Sequence, residues 1–379
     1  MVAKRLSEGI QCTACALVLL SATQCSLANP TTDLAGPVWT NGQFQFTLNG
    51  AAGIPYVIES SPDLFNWTPV VTNSDFSDIR LISLDAPDSA GFYRFTRASG
   101  SIPIALAFGA VGNISLNGNG VSTDSYNSHD PRYSTNGQYT SSMTRSNGNI
   151  ASEERFVNLG GHTIDGNLYL GPTASYISGS NQVTGQIYSD YNVQFPDVTL
   201  PSGASSWPIA VPTTNITTTN GISTTNTVYD FQTSGNYIIN QDYSIIVEAG
   251  ITVNMNVTST AFYPAGLQIQ GGMTNSGTAK FYFNGPSSLT IAGNTVVNAN
   301  GRPENLWYFG LPSLTNMTIS SSSAPFVGVI YAPEANILLS GGGGGSSIII
   351  GSCITGTLNM SGSYTFHFDE SLVNFWPYF

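Results

Sequence analysis

The chain has 379 residues, a net charge of −12 and only 8 % charged side chains, far below the roughly 25 % of an average soluble domain. The sequence holds no basic patch to displace counterions from phosphate, which excludes unaided binding to nucleic acid. No apolar run approaches the ~20 residues of a membrane-spanning helix. Disorder is excluded by the abundance of Val, Ile, Leu, Phe and Tyr. What remains is a β protein whose surface is amide and hydroxyl rather than ionic.

Residues 1–28 read as an export signal. Lys4 and Arg5 form a basic start, Cys12 to Ala22 a short apolar core, and Ser26-Leu27-Ala28 a small-x-small cleavage site before Asn29. Lipidation at Cys25 is the alternative, and Gln24 just before it fits that signal poorly. Cleavage after Ala28 removes Cys12, Cys15 and Cys25 and leaves Cys353 alone, so no intrachain disulfide can form. Cys353 lies in a strand-like run and reads as a small buried hydrophobe.

After a short polar lead at 29–35, residues 36–98 alternate in the manner of roughly five strands and read as a small β-sandwich. FQFTLNG turns at Asn49-Gly50, and IPYVIESS places Tyr56 and Ile58 on one face. The series Tyr56-x-Ile58-Glu59-x-Ser61-x-Asp63-Leu64-x-x-Trp67, ending in Phe92-Tyr93-Arg94, resembles a small fibronectin-III-like module of the kind attached to secreted proteins of Gram-negative bacteria. The resemblance implies an accessory or spacer role without catalysis. Trp67 is a candidate for stacking on a sugar; the plainer reading places it under the sheet, as most Trp are largely buried.

Residues 99–105 read as a linker. From about 104 to 379, short apolar runs closed by Gly, Asn, Ser or Pro recur about every eight to twelve residues, most densely from Tyr237 to Phe368. The expected architecture is an irregular right-handed parallel β-helix, because no fixed repeat period is present. The Thr/Asn-rich stretch at 212–227 reads as an excursion or exposed loop. Several motifs in this region go together: Asp124-Ser125-Tyr126 with Asp130-Pro131-x-Tyr133, Gly301-x-Pro303-x-Asn305-Leu306, Tyr331-Ala332-Pro333-x-Ala335, and Phe366-His367-Phe368-Asp369-Glu370-x-Leu372. As a set they resemble an uncharacterised bacterial exported surface domain, some members of which are pilus-associated, over roughly residues 104–373. That resemblance implies a β-helical fold and a surface location, and no activity. Phe368 stands where Tyr is expected.

Candidate chemistry is sparse. The three histidines are His129, His162 and His367, and no GxSxG-type elbow accompanies them. On a strand, Thr365, His367 and Asp369 share one face and Tyr364, Phe366 and Phe368 the other. His367 and Asp369 could belong to a metal set; the plainer reading is that Phe366 to Glu370 cap the open end of the stack. Asp124 and Asp130, with Asn127 between them, could gather oxygen ligands for Ca²⁺, although Asx-rich loops usually bond their own backbone. Gly341 to Gly345 is not followed by the Lys-Ser/Thr of a phosphate loop. Polysaccharide lyases and hydrolases need clustered carboxylates, which this chain shows nowhere in linear order.

These observations lead to an expectation of a non-enzymatic exported surface, matrix or adhesion protein with no required cofactor. Its partners would be extracellular polysaccharide or surface proteins. The alternatives are a carbohydrate-active enzyme or a carbohydrate-binding protein on the same scaffold.

Overall fold

The computed structural model describes residues from Asp33 to Phe375, with gaps at 41–42, 50–55, 63–65, 74–78, 86–91 and 98–104 and breaks of one to five residues thereafter. The export signal, and Cys12, Cys15 and Cys25 with it, lie outside the described residues. The chain divides into two compact units, Met1–Ile102 and Pro103–Phe379. Among the described residues the secondary structure is strand apart from three short 3-10 turns.

The first unit contains six strands: β1 (Asp33–Thr40), β2 (Gln43–Asn49), β3 (Tyr56–Ser61), β4 (Thr68–Asn73), β5 (Ile79–Asp85) and β6 (Phe92–Arg97). They form two antiparallel sheets in the orders β1-β2-β5 and β4-β3-β6. Phe44 and Phe46 on one sheet, and Ile58 and Tyr93 on the other, are buried. The rings of Phe44 and Tyr93 stack at 5.4 Å, which joins the two sheets. The strand at Asp33–Thr40 corrects the expected polar lead: its residues pair with Gln43–Asn49 across an irregularity between Ala35 and Val38, which masks the alternation.

In the second unit the strands run β7 (Phe108–Ala110), β8 (Ile114–Leu116), β9 (Ser122–Tyr126), β10 (Ile150–Ser152), β11 (Phe156–Asn158), β12 (Thr163–Ile164), β13 (Leu168–Leu170), β14 (Ser175–Ile177) and β15 (Ile187–Tyr188). There follow β16 (Thr213–Thr219), β17 (Ile222–Phe231), β18 (Gly235–Ile239), β19 (Ser244–Val247), β20 (Thr252–Val257), β21 (Leu267–Ile269), β22 (Thr278–Phe283), β23 (Ser288–Ile291) and β24 (Val296–Val297). The last are β25 (Leu306–Gly310), β26 (Asn316–Ser320), β27 (Phe326–Ser340), β28 (Ser347–Met360) and β29 (Tyr364–Asp369).

Nearly all of these pair in parallel. One ladder runs β18-β20-β22-β25-β27-β28-β7-β10-β13-β15. A second runs β23-β26-β27-β28-β8-β11-β14. The register places like on like. Met255 neighbours Phe281, which neighbours Tyr308, and all three are buried. The edge of the Tyr308 ring meets Phe281 at 5.1 Å. The residues between them point the other way, where Asn254 donates through Nδ2 to Asn236 Oδ1 at 2.7 Å. Alternation within a strand thus sorts apolar from amide, and stacking turns each sort into a continuous row.

Spatial order does not follow chain order. The first strands, β7–β9, lie in the interior of the ladders, because the chain's last strands pair with them: β28 with β7 and β8, and β29 with β9. From β7 the chain builds one way to β15. It then passes through 191–211 and resumes at the hairpin β16–β17, from which it builds back until its end meets its beginning.

Two expectations are corrected by this topology. The Thr/Asn-rich stretch is an antiparallel hairpin in unbroken register from Thr213↔Val228 to Thr219↔Ile222, which corrects the loop reading and leaves that of an excursion standing; Thr favours strands. Phe366 to Asp369 do not cap an open end, since β29 has β28 on one edge and β9 on the other.

At the seam, β28 carries Gly351 with φ +132. This left-handed conformation is one that side chains avoid, and a methyl group there would overlap the carbonyl oxygen of Gly328 on β27. Gly351→Ala should therefore lower stability by at least ~1–3 kcal/mol, read as a lower urea midpoint with an unchanged m-value.

Candidate functional site

A group of charged and polar side chains of the second unit converges where β29 lies against β9. The register sets His367 beside Asp124, Phe368 beside Ser125 and Asp369 beside Tyr126. The solvent face of this pair would be open but for residues 127–149, a long connection between β9 and β10 that folds back over it. Connections of that length without regular structure are uncommon in compact domains and usually have a purpose. Here it covers β29: His367 is 4 % exposed and Asp369 0 %.

Three linked groups of contacts make up the site. In the first, His367 Nδ1 pairs with Asp124 Oδ1. The Tyr139 hydroxyl donates to Asp124 Oδ2 at 2.9 Å, and the Tyr139 ring lies flat on the imidazole at 3.5 Å. Burial, reinforced by the Asp124 charge, raises the Tyr139 phenol above its ordinary range. In the second, Glu370 Oε1 accepts from Ser125 Oγ at 2.7 Å and Asn147 Nδ2 at 2.8 Å, while Oε2 pairs with Arg145 at 3.0 Å. The Arg145 guanidinium sits over the Tyr133 ring at 4.4 Å.

The third group surrounds Asp369. Its Oδ1 accepts from the backbone N–H of Ser128 and of Ser371, both at 3.0 Å. Its Oδ2 is buried without a hydrogen bond of good geometry, and the Tyr126 phenol lies beside the carboxyl. Burial raises the Asp369 carboxyl above the ordinary carboxylate range, outweighing the lowering effect of its hydrogen bonds. Burial likewise raises Tyr126, with the Asp369 charge second. Nearby, His129 Nε2 meets Glu304 Oε1 at 2.8 Å, and Arg302 Nη1 approaches the same imidazole nitrogen at 3.1 Å.

The sequence-derived metal set comes apart in this arrangement. Asp124 is engaged by His367 and Tyr139. Asp130 is half-buried and gripped by Arg132, whose Nη2 lies 2.6 Å from Oδ2; the guanidinium holds that carboxyl down at about 2. Asp369 faces inward to Tyr126. Among the described residues no group of three or more His, Cys, Asp or Glu is placed to hold a metal ion. Asp130 therefore serves its own loop, as Asx residues usually do.

The other candidates have local explanations. His162 Nδ1 accepts from Val121 N–H at 3.1 Å, so Nε2 carries the proton and donates to Leu116 O at 3.2 Å. That imidazole is pinned at both nitrogens. Cys353 is buried between Ile330 and Phe108, and burial pushes its thiol up to about 12, the opposite of a reactive thiolate. Trp67 is half-buried, neither sealed in a core nor laid open as a platform. Elsewhere the Glu334 carboxyl is raised by partial burial and by a hydrogen bond with Asp197. Two touching carboxyls do not suit glycoside hydrolysis, where the acids stand at least ~5 Å apart.

A family described as a domain of unknown function (DUF7305) matches residues 211–375. The matched segment runs from just before the hairpin to just past β29 and leaves β7–β15, with the covering connection 127–149, outside it. No curated protein and no solved structure matches the chain.

Tyr139, Arg145, Arg302 and Glu304 carry much of this site and were not singled out from the sequence. The one available signal was the polar stretch after Asp124, too long for a simple turn.

Two predictions follow from the chemistry. Replacing His367 by Ala leaves the part-buried Asp124 with the Tyr139 hydroxyl as its remaining side-chain partner, and should cost about 1–3 kcal/mol, measured by urea denaturation. Asp369 sets a pH dependence of opposite sign to that of a salt-bridged carboxylate. Its pKa is raised in the folded state, so its contribution is fully present below the unfolded value of ~4 and is lost as pH rises through the folded value. Asp369→Asn keeps an oxygen for Ser128 and Ser371. As pH rises from about 4 through the folded value, its urea midpoint should gain on that of the parent chain.

Proposed function

We propose that this chain is an exported, non-enzymatic scaffold of the bacterial surface or extracellular matrix. In this reading the first unit is a fibronectin-like sandwich serving as a spacer. The second is an irregular right-handed β-helix whose parallel ladders are its successive coils. Its destination is the surface of a Gram-negative cell, reached through the signal at residues 1–28, and its partners are extracellular polysaccharide or other surface proteins.

The observation that carries this reading is the use made of the titratable groups. Asp124, His367 and Glu370 are spent on one another and on the loop 127–149, and this binds the last strand to the first ones. A catalyst keeps a nucleophile, acid or base poised towards a substrate; these groups face their structural partners instead. The low charge and the amide rows between strands suit a surface that must persist outside the cell without strong ionic fields.

The test is a screen of the purified protein against a glycan array and a panel of soluble polysaccharides, with and without Ca²⁺. The expected outcome is binding without release of reducing ends or unsaturated products. Depolymerisation of any member of the panel, abolished by Glu304→Gln or Asp369→Asn, would overturn the scaffold reading in favour of an enzyme.

A further inference from the structure

We propose that the slot between β28 and β9 is an acceptor site for a single strand, and that its occupant, the chain's own C-terminal segment Tyr364–Asn374, docks there last as a separable key. The inference does not depend on the functional reading above.

Three observations carry it. First, β29 is paired in parallel along both edges, with Ser347–Ile350 on one side and Ser122–Tyr126 on the other. Two pre-existing edges therefore accept one arriving strand. Second, the two directions of build are joined without it, because β28 also pairs with β7 and with β8. Removing β29 vacates one position and leaves those two junctions in place. Third, the segment is recognised by side chain as well as by backbone. His367 meets Asp124, Asp369 takes the Ser128 N–H, and Glu370 takes Arg145; on the opposite side the Tyr364 hydroxyl donates to Ser340 O at 3.0 Å. A β-strand added to sheet edges draws affinity from main-chain hydrogen bonds and specificity from alternate side chains.

The order of events follows from chain length. The pairing of β29 with β9 closes a loop of about 240 residues, among the longest closures in the molecule, and such non-local pairing forms late. The segment is joined to β28 by the short connection Ser361–Ser363, and Ser347 N–H donates to Ser363 O at 2.9 Å to start the register.

Native-state hydrogen exchange on the full chain tests this. Amides of β29 should exchange through an opening smaller than global unfolding, at least tenfold faster than the inward-packed amides of β22 and β25. His367→Ala should accelerate β29 further without changing β22. Equal rates for β29 and β22 at all denaturant concentrations would overturn the proposal. A second form keeps it falsifiable if the variant is too unstable: the full chain with a protease site inserted between Gly362 and Ser363, cut after folding. The cut tail should stay bound, leave at a urea concentration below the main transition, and be replaced by a labelled peptide of residues 363–379. A peptide carrying Asp369→Ala should bind at least tenfold more weakly. Release of the tail only with global unfolding, or equal binding of the two peptides, would refute the separable key.

Discussion

The second unit depends on one contact, the parallel pairing of the chain's last strands with its first. Among the described residues the other ladder junctions of the second unit join strands no more than about forty-five positions apart, so their entropic cost is smaller. The junction of β28 and β29 with β7, β8 and β9 joins residues more than two hundred positions apart. Without it there would be two shorter stacks, each with an open parallel edge, and open edges of apolar parallel strands recruit other chains. With it, both edges are consumed internally. Polar and ionic groups are concentrated here because the register of so distant a pairing has to be specified, and apolar alternation alone tolerates a slip of two residues.

The same logic explains how a chain with so few charges tolerates buried ones. A buried ion pair gains little net stability, since desolvation offsets the attraction, but breaking one is costly. That asymmetry makes the contact of His367 with Asp124 poor glue and a good discriminator: a misregistered β29 takes the imidazole from Asp124 and leaves it the Tyr139 hydroxyl. Gly351 acts in the same place by shape, since the close approach of β27 and β28 leaves no room for a side chain.

Much of the local structure was legible. Alternation in AKFYF and TVNMNV marks β22 and β20, and Gly or Asn marks their ends. Arrangement was not legible, because parallel pairing of this kind leaves no trace in linear order. Nothing in YTFHFD distinguishes a strand that closes an end from one inserted between two others. The expectation of a cap arose from assuming that the last strand in sequence is the last in space. The site was half legible: Asp124, His367 and Asp369 were picked out from residue type, and they do converge. What they contact was not legible, because the covering connection, and with it Tyr139 and Arg145, is positioned only by the tertiary fold.

Asp369 shows how finely the seam is balanced. Two backbone N–H donors favour its ionised form, and complete burial beside Tyr126 opposes it; burial prevails. A carboxyl held in its protonated form can donate as well as accept, which an ionised one cannot. The ionised form sets a buried charge against the Tyr126 phenol, which burial and that same charge keep neutral. The closing strand is therefore held best where this one proton is retained.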